Sequence, residues 1–428
     1  MIAETKMYTV GEFDDITDSD IGETAFKQLR ALILNDGEMG ESANIDELIT
    51  DASVCMKLFA RNGRETIRVK NYVGIISLPC GLTIEVLPKI PFGDNVVARK
   101  LVLEMLRACG NIPYKHFQNA DLRTERFTLF EIFIRMFIDE VTALYKRGLA
   151  SGYVYTESNE RFIKGKLIVN ENIKFNAVHG ERFYVGYDEF ALNRAENRLI
   201  RSALLYLRDI SAFDENRREL RRLCLMFDGI DASDNIDRDF ARCSSDRNIK
   251  RYAVALKLCR VFLRKKSFTL YSGQNSAASL LFPMETLYER YIAIEMAKNL
   301  PSGWRLSAQY GKVKLFDGDR FPMRPDIVVF AGDKKIVIDT KWKKLNDDKS
   351  QNFGISQADM YQMYAYHTRI DDVKKVVLLY PRHDKSISIP PYTVKEKDIT
   401  IEIKFIDLCE YLRAAHDERS EIMHGVCE

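Results

Sequence analysis

Two short apolar segments joined by a glycine turn constrain the fold of this chain more than any other feature. They form the sequence MRPDIVVFAGDKKIVIDTKWKK at residues 323–344. Gly332 and Asp333 suit a two-residue hairpin turn, which pairs residues whose numbers add up to 665. In that register Asp326 lies opposite Asp339, and Lys341 shares their face because side chains alternate along a strand. The sequence therefore predicts two carboxylates and one ammonium group on one side of an apolar hairpin.

This combination of charges indicates a particular chemistry. Two adjacent carboxylates repel each other unless a cation or a proton lies between them. Paired oxygen donors suit Mg²⁺, which keeps several waters and accepts phosphate oxygens. A lysine beside the metal orients or deprotonates an attacking water, or neutralises charge on a phosphate. The set predicts metal-dependent phosphodiester hydrolysis, with Asp326 and Asp339 as metal ligands; a surface hairpin with an Asp–Lys pair is the alternative that stays open.

Two predicted helices add polar groups at helical spacing. Asp359, Gln362 and Tyr366 are three and four residues apart, which places them on one helical face. Glu285 and Glu289 are one turn apart on an earlier helix. We expect Gln362 to line the site, and Glu289 either supplies a third carboxylate or forms a salt bridge.

Periodicity predicts an α+β chain with several domains. The first part, residues 1–118, is predicted to be β-rich, with strands over 67–69, 72–78 and 82–87 and a helix over 23–34. The middle part, 119–275, is predicted to be mainly helical, with helices over 124–147, 193–208 and 249–264 and a strand over 161–169. The last part, 276–428, is predicted to form a mixed sheet flanked by helices, with helices over 283–298 and 357–368 and strands over 305–315, 326–330, 335–341, 375–380 and 399–405.

Composition excludes several other classes. Hydrophobic residues make up 46% of the chain and charged residues 29%, which is typical of globular proteins rather than disordered ones. The longest apolar runs are too short for a membrane span, and the acidic N-terminus does not resemble a secretory signal. The eight cysteines form no CxxC pair, so we expect reduced thiols, no zinc site and a cytoplasmic location. The sequence lacks a GxxxxGK[ST] loop, so we expect no nucleotide site.

The charges are unevenly distributed along the chain. The first fifty residues are acidic, whereas basic residues cluster within 52–128, 217–222 and 250–266. Each basic cluster alone is typical of a solvated face, but several in one chain favour a phosphate-backbone partner.

Several motifs together resemble a known family. Asp326…Asp339-Thr-Lys341 resembles the PD-(D/E)xK nuclease signature, and DMYQMYAY at 359–366 resembles the helix that follows this signature in the McrC family. Further similar segments occur in the same order along the chain: GLTIEVLPKI (81–90), FEIFIRMFIDEVTALYKRGLASGY (130–153), RFIKGKL (161–167), FALNRAENRLIRSAL (190–204) and LYERYIA (287–293).

The resemblance implies a C-terminal restriction-endonuclease-like α/β domain that cuts double-stranded DNA with Mg²⁺. In this family the chain is the nuclease subunit of a modification-dependent restriction system. The N-terminal part would dock on, and stimulate, a separate AAA+ GTPase ring (McrB-like), which would carry the domain that reads methylated cytosine. Asp326 and Asp339 would bind metal and Lys341 would position water, with Gln362 and Glu289 in the same pocket. A non-catalytic adaptor for an AAA+ partner and a stand-alone nuclease remain alternatives.

Overall fold

The computed structural model describes residues 7–35, 55–78, 80–90, 94–109, 128–243, 251–263, 278–311, 313–316, 320–394 and 399–428. The chain divides into two compact units. The larger unit contains the described residues within 5–129 and 279–428, and the smaller unit contains those within 130–278. The first and last parts of the chain thus belong to one unit; the sequence boundaries near 118 and 275 stay a prediction.

The N-terminal part of the larger unit consists mainly of short strands, as predicted. The strands are β1 Met7–Gly11, β2 Asp15–Ile16, β3 Met56–Arg61, β4 Arg64–Val69, β5 Tyr72–Ser77 and β6 Thr83–Leu87. The helices are α1 Asp18–Ile21, α2 Glu23–Asn35 and α3 Asn95–Ala108. Strands β5 and β6 lie within the predicted strands 72–78 and 82–87 and form an antiparallel hairpin, with Gly74 opposite Val86. Buried Glu85 on β6 pairs with Arg99 on α3 at 2.7 Å, which fixes the helix to the strand.

The smaller unit is helical but also contains an antiparallel sheet. Its helices are α4 Leu129–Lys146, α5 Val169–Asn176, α6 Ala195–Ile210, α7 Asp214–Met226, α8 Ile236–Arg242 and α9 Ala253–Leu263. Its strands are β7 Gly152–Glu160, β8 Lys166–Leu167 and β9 Phe183–Ala191, in the order β7-β9-β8. Phe133, Phe137, Val141 and Leu144 of α4 are all buried, so the apolar face of this predicted helix packs in a core.

The strand prediction for the middle part was only partly right. Within 161–169 the strand is confined to Lys166–Leu167, and the long strands β7 and β9 were not predicted. Gly165 ends the turn before β8 with a φ of +76°, and a Cβ there would come within 2.5 Å of the Gly186 carbonyl oxygen. This close approach interrupts the strand, because only glycine fits.

The C-terminal part of the larger unit contains the remaining elements. Its strands are β10 Ala278–Pro283, β11 Arg305–Ala308, β12 Val313–Lys314, β13 Pro322–Met323, β14 Ile327–Ala331, β15 Lys334–Thr340, β16 Val373–Pro381, β17 Tyr392–Val394 and β18 Ile399–Ile406. Its helices are α10 Met284–Lys298, α11 Gln357–Arg369, α12 Leu408–Arg413 and α13 His416–Cys427, with a 3₁₀ segment at Lys349–Gly354. Strand β10 completes a four-stranded sheet in the order β1-β6-β5-β10.

A six-stranded mixed sheet forms the centre of this part, in the order β11-β14-β15-β16-β18-β17. The predicted hairpin register is confirmed, since Ile327 pairs with Ile338 and Ala331 with Lys334. Strands β15, β16 and β18 run parallel. The apolar run of β16 is buried throughout its centre, as expected for an inner parallel strand. Helix α11 packs on this sheet through Met363 and Tyr366.

Some predicted features lie outside the described residues. These are 36–54 of the acidic N-terminal segment, 124–127 of one predicted helix, and Lys250 and residues 264–266 of a basic cluster. Within the described ranges, none of the helices is long and apolar enough to cross a membrane.

Candidate active site

The β14–β15 hairpin brings the two predicted aspartates together at one end of the mixed sheet. Asp326 immediately precedes β14, and Asp339 is the penultimate residue of β15. Thr340 donates two hydrogen bonds to Asp326 Oδ2, from its backbone N at 2.8 Å and from its hydroxyl at 2.9 Å. Because Thr340 holds Asp326 and follows Asp339 in the chain, the two carboxylates have a fixed relative position.

Asp339 is the most deeply buried acidic group of the site, with 1% of its surface exposed. Burial, together with the negative charge of Asp326, raises the pKa of Asp339 to about 7. Burial likewise raises the pKa of Asp326, although the hydrogen bonds from Thr340 oppose it. Both raised pKa values indicate a site that disfavours two negative charges unless a cation is bound.

Lys341 supplies a positive charge directly at this position. Its Nζ lies 2.5 Å from Asp339 Oδ2 and 3.9 Å from Asp359 Oδ1. Burial alone would lower the pKa of Lys341, but the carboxylates of Asp339, Asp326 and Asp359 outweigh burial and hold it above its usual value. Lys341 is therefore a cation near neutral pH.

Helix α11 completes the surroundings of Lys341. Lys341 Nζ donates to Gln362 Oε1 at 3.4 Å, and the Gln362 amide donates to the Tyr366 hydroxyl at 2.7 Å. Tyr366 in turn donates to the Arg324 carbonyl oxygen at 3.2 Å. The chain of hydrogen bonds therefore links the helix, the lysine and the segment just before Asp326.

Glu289 on α10 lies near the aspartates and is half-buried. Its carboxylate accepts a hydrogen bond from the Gln309 amide. Burial, with a contribution from Asp326, raises the pKa of Glu289 to about 7. Gln309 itself is held by a backbone hydrogen bond to the Asp326 carbonyl oxygen at 2.7 Å. The structure thus brings all five predicted site residues to one location.

The donor set suits one small divalent cation rather than a closed protein cage. In the described part of the chain, no three His, Cys, Asp or Glu side chains are arranged to hold a metal ion. Two carboxylates do suit Mg²⁺, because this ion retains several waters and uses few protein ligands. The raised pKa values of Asp326 and Asp339 agree with this, because bound Mg²⁺ would favour their ionised forms.

Three residues of the site were missed as functional candidates from the sequence. Thr340 was not considered although it stands between Asp339 and Lys341. Lys343 pairs with Asp359 at 3.0 Å, and its spacing of two from Lys341 was a usable signal. Gln309 contacts Glu289 from a loop with a φ of +48°, and the sequence contains no local signal for that contact.

Comparison with known proteins identifies the family. The model of the family described as "McrBC 5-methylcytosine restriction system component" matches residues 67–381. No curated protein matches the chain.

Two solved structures share the fold. One is described as a refined half-complex from a tetradecameric assembly of Thermococcus gammatolerans McrB AAA+ hexamers with bound McrC; its TM-score is 0.70 at 20% identity, covering 99% of each chain. The other is a cryo-EM structure of the Thermococcus gammatolerans McrBC complex, with a TM-score of 0.50 at 20% identity, covering 69% of this chain and 89% of that one. At this identity the likeness shows the fold, and the family assignment rests on the match over residues 67–381. The resemblance found in the sequence is thereby confirmed: the chain belongs to the McrBC 5-methylcytosine restriction system component family.

Proposed function

We propose that this chain is the Mg²⁺-dependent endonuclease subunit of a modification-dependent restriction complex. It hydrolyses phosphodiester bonds of double-stranded DNA when assembled with a separate AAA+ GTPase, whose activity it stimulates. The observation that carries the proposal is the ion pair at 2.5 Å between buried Asp339 and the partly exposed Lys341, beside Asp326. The C-terminal mixed sheet would then be a PD-(D/E)xK nuclease domain.

The proposed chemistry assigns a role to each side chain. Asp326 and Asp339 would hold Mg²⁺, which when bound supplies charge stabilisation at the scissile phosphate. Lys341 would position the attacking water and neutralise negative charge that develops on the phosphate. Gln362 would orient the Lys341 ammonium group through the contact at 3.4 Å. Glu289, with a pKa of about 7, would accept or hold a proton at its carboxylate near the reacting water.

The partner assignment rests on the family and on one surface. The similar solved structures are described as McrB AAA+ hexamers with bound McrC and as a McrBC complex. Docking through residues 1–118 stays a prediction. The smaller unit adds a candidate contact, since its three-stranded sheet, α5 and the segments that adjoin them expose many apolar side chains. They are Tyr153, Tyr155, Phe162, Ile163, Val169, Ile173, Phe175, Val178, Phe190 and Leu192. Exposed apolar groups at this density are typical of protein interaction sites.

DNA binding is supported by exposed basic side chains. Arg218, Arg221 and Arg222 of α7 are exposed, although Arg222 pairs with Glu219 at 2.9 Å. Lys341 and Lys343 add positive charge at the site itself. Arginines that contact phosphates would give affinity without reading sequence.

The test is cleavage of methylated and unmethylated plasmid with Mg²⁺, by wild type and Asp339→Asn, each with and without the AAA+ partner and GTP. We expect cleavage of methylated plasmid only by wild type with partner and nucleotide. Cleavage without the partner would favour a stand-alone nuclease. Stimulated GTP hydrolysis without any cleavage would favour the adaptor, the second candidate function.

A further inference from the structure

Trp342 links two parts of the proposed site. It directly follows Lys341, and only 1% of its surface is exposed. Its ring packs on Tyr288 with centroids 5.2 Å apart, and Tyr288 directly precedes Glu289 on α10. A change in the position of this single indole would therefore move the strand end that carries Lys341 and the helix turn that carries Glu289.

The indole is held by a residue from the far end of the chain. Glu12 Oε1 accepts a hydrogen bond from Trp342 Nε1 at 2.6 Å, although the two residues are 330 positions apart. The same oxygen accepts from the backbone N of Lys89 at 3.0 Å. The backbone N of Glu12 donates to the Leu87 carbonyl oxygen at 2.9 Å. Glu12 is thus fixed at the end of β6, and it fixes Trp342 in turn.

The chemistry of Glu12 is unusual for a purely structural contact. It is 1% exposed, and within the described part of the chain no group donates a hydrogen bond to its Oε2. Burying a carboxylate with one oxygen that accepts no hydrogen bond lowers the stability of the folded state more than burying a neutral amide does. Burial raises the pKa of Glu12, while the hydrogen bond from Trp342 and the charge of Lys89 lower it. The ammonium of Lys89, which also lies over the Phe13 ring at 4.0 Å, supplies a nearby positive charge.

We propose that Glu12 is a positioning residue for the nuclease site: by holding the Trp342 indole, it fixes Lys341 and Glu289 relative to Asp339. This inference rests on the proposed nuclease function and deepens it. The N-terminal strands and the catalytic hairpin then act as one body, and a displacement of the β6 end would reach the lysine through a single side chain.

The test uses the assembled complex with partner, GTP and Mg²⁺, and measures kcat and KM for cleavage. Glu12→Ala removes the acceptor, and Trp342→Phe keeps an aromatic ring but removes the N–H donor. Misplacement of a catalytic group by about 1 Å costs about 100-fold in rate, so we expect kcat to fall about 10- to 100-fold in each variant with KM unchanged. Glu12→Gln keeps an acceptor oxygen and should recover most of kcat.

The double variant and a matched control separate positioning from stability. If the two residues act through one bond, Glu12→Ala combined with Trp342→Phe should lose no more than either alone. Glu85→Gln is the control, because Glu85 is equally buried in the same N-terminal segment but bonds to Arg99 and to the backbone N of Leu129. It should lower Tm and leave kcat unchanged.

Three results would overturn the inference. They are wild-type kcat in Glu12→Ala, losses that multiply in the double variant, and a loss in Glu85→Gln as large as in Glu12→Ala. If the wild-type complex does not cleave DNA at all, the proposed function fails and the inference falls with it. The activity of the wild-type complex therefore distinguishes a failure of the proposed function from a failure of the inference about Glu12.

Discussion

Replacing Asp339 by asparagine should change how the stability of the larger unit depends on pH. The native pKa of Asp339 is about 7, whereas an unfolded aspartate titrates at about 3.9. Between these values the native state binds more protons than the unfolded state, so stability falls as pH rises. Linkage gives a loss of about 2–3 kcal/mol in the free energy of unfolding from about pH 5 to about pH 8.

The asparagine variant removes this titration and keeps the side-chain size. Since Asp326 is present in both proteins, the difference between the two curves isolates Asp339 and its interaction with Asp326. Wild type should therefore lose about 2–3 kcal/mol relative to Asp339→Asn over this pH range. In the absence of Mg²⁺, the free energy of unfolding of Asp339→Asn therefore rises relative to that of wild type as the pH increases.

The assay is urea unfolding in EDTA at several pH values, followed by tryptophan fluorescence. The chain has two tryptophans, Trp304 and Trp342, and both belong to the larger unit, so the signal reports on the unit that contains the site. Asp333→Asn, in the exposed turn of the same hairpin, is the control and should keep the wild-type slope. Parallel curves for wild type and Asp339→Asn would refute the argument that Asp339 is protonated in the metal-free protein.

Three further predictions concern other parts of the molecule. Lys341→Met should reduce cleavage by at least about 100-fold while DNA binding persists. The control Lys334→Met, at the exposed start of β15, should cleave DNA normally. Equal activity of the two variants would contradict the role of Lys341. Asn197→Ala should lower the free energy of unfolding of the smaller unit by about 2–3 kcal/mol, measured by circular dichroism. The fully buried Asn197 amide donates to the carbonyl oxygens of Ala150 and Leu192 and accepts from the Tyr252 hydroxyl, and alanine removes all three hydrogen bonds. DNA affinity should fall steeply as the salt concentration rises. Replacing Arg218, Arg221 and Arg222 by serine should reduce the slope of log K against log salt by about 0.9 for each phosphate that is no longer neutralised. An unchanged slope would show that these arginines of α7 do not contact DNA.

The hairpin was predictable because its information is local. A glycine turn and alternating side chains determine the register of β14 and β15, and the structure has the predicted pairs. The helix over 357–369 was predictable for the same reason, since its polar and apolar faces follow a regular spacing. Most secondary-structure elements of the larger unit's C-terminal part follow from such patterns.

The contacts that complete the site are not local. Glu12 meets Trp342 across 330 positions, and Gln309 reaches Glu289 from a loop with positive φ. Neither contact leaves a pattern in the neighbouring sequence, because each depends on how separate elements pack. Sequence spacing therefore identified Asp326, Asp339 and Lys341, but not Glu12 or Gln309, which contact the site from distant segments.

Helix α7 and strands β7 and β9 were missed for a different reason. Helix α7 is rich in charged residues, and its buried apolar side chains are only Leu220, Leu223 and Cys224. Strands β7 and β9 expose aromatic side chains on their surface, including the Tyr153–Phe190 pair with ring centroids 5.4 Å apart. Hydrophobic periodicity indicates burial in a core, so it fails where apolar residues face outward.

We propose that Asp339 takes part in DNA cleavage and is not needed for assembly with the partner. Cleavage of methylated DNA and GTP hydrolysis by the partner can be measured in the same reaction, with wild type or Asp339→Asn in the complex. We expect Asp339→Asn to lose cleavage and to retain the stimulation of GTP hydrolysis. Cleavage by Asp339→Asn at the wild-type rate would contradict it.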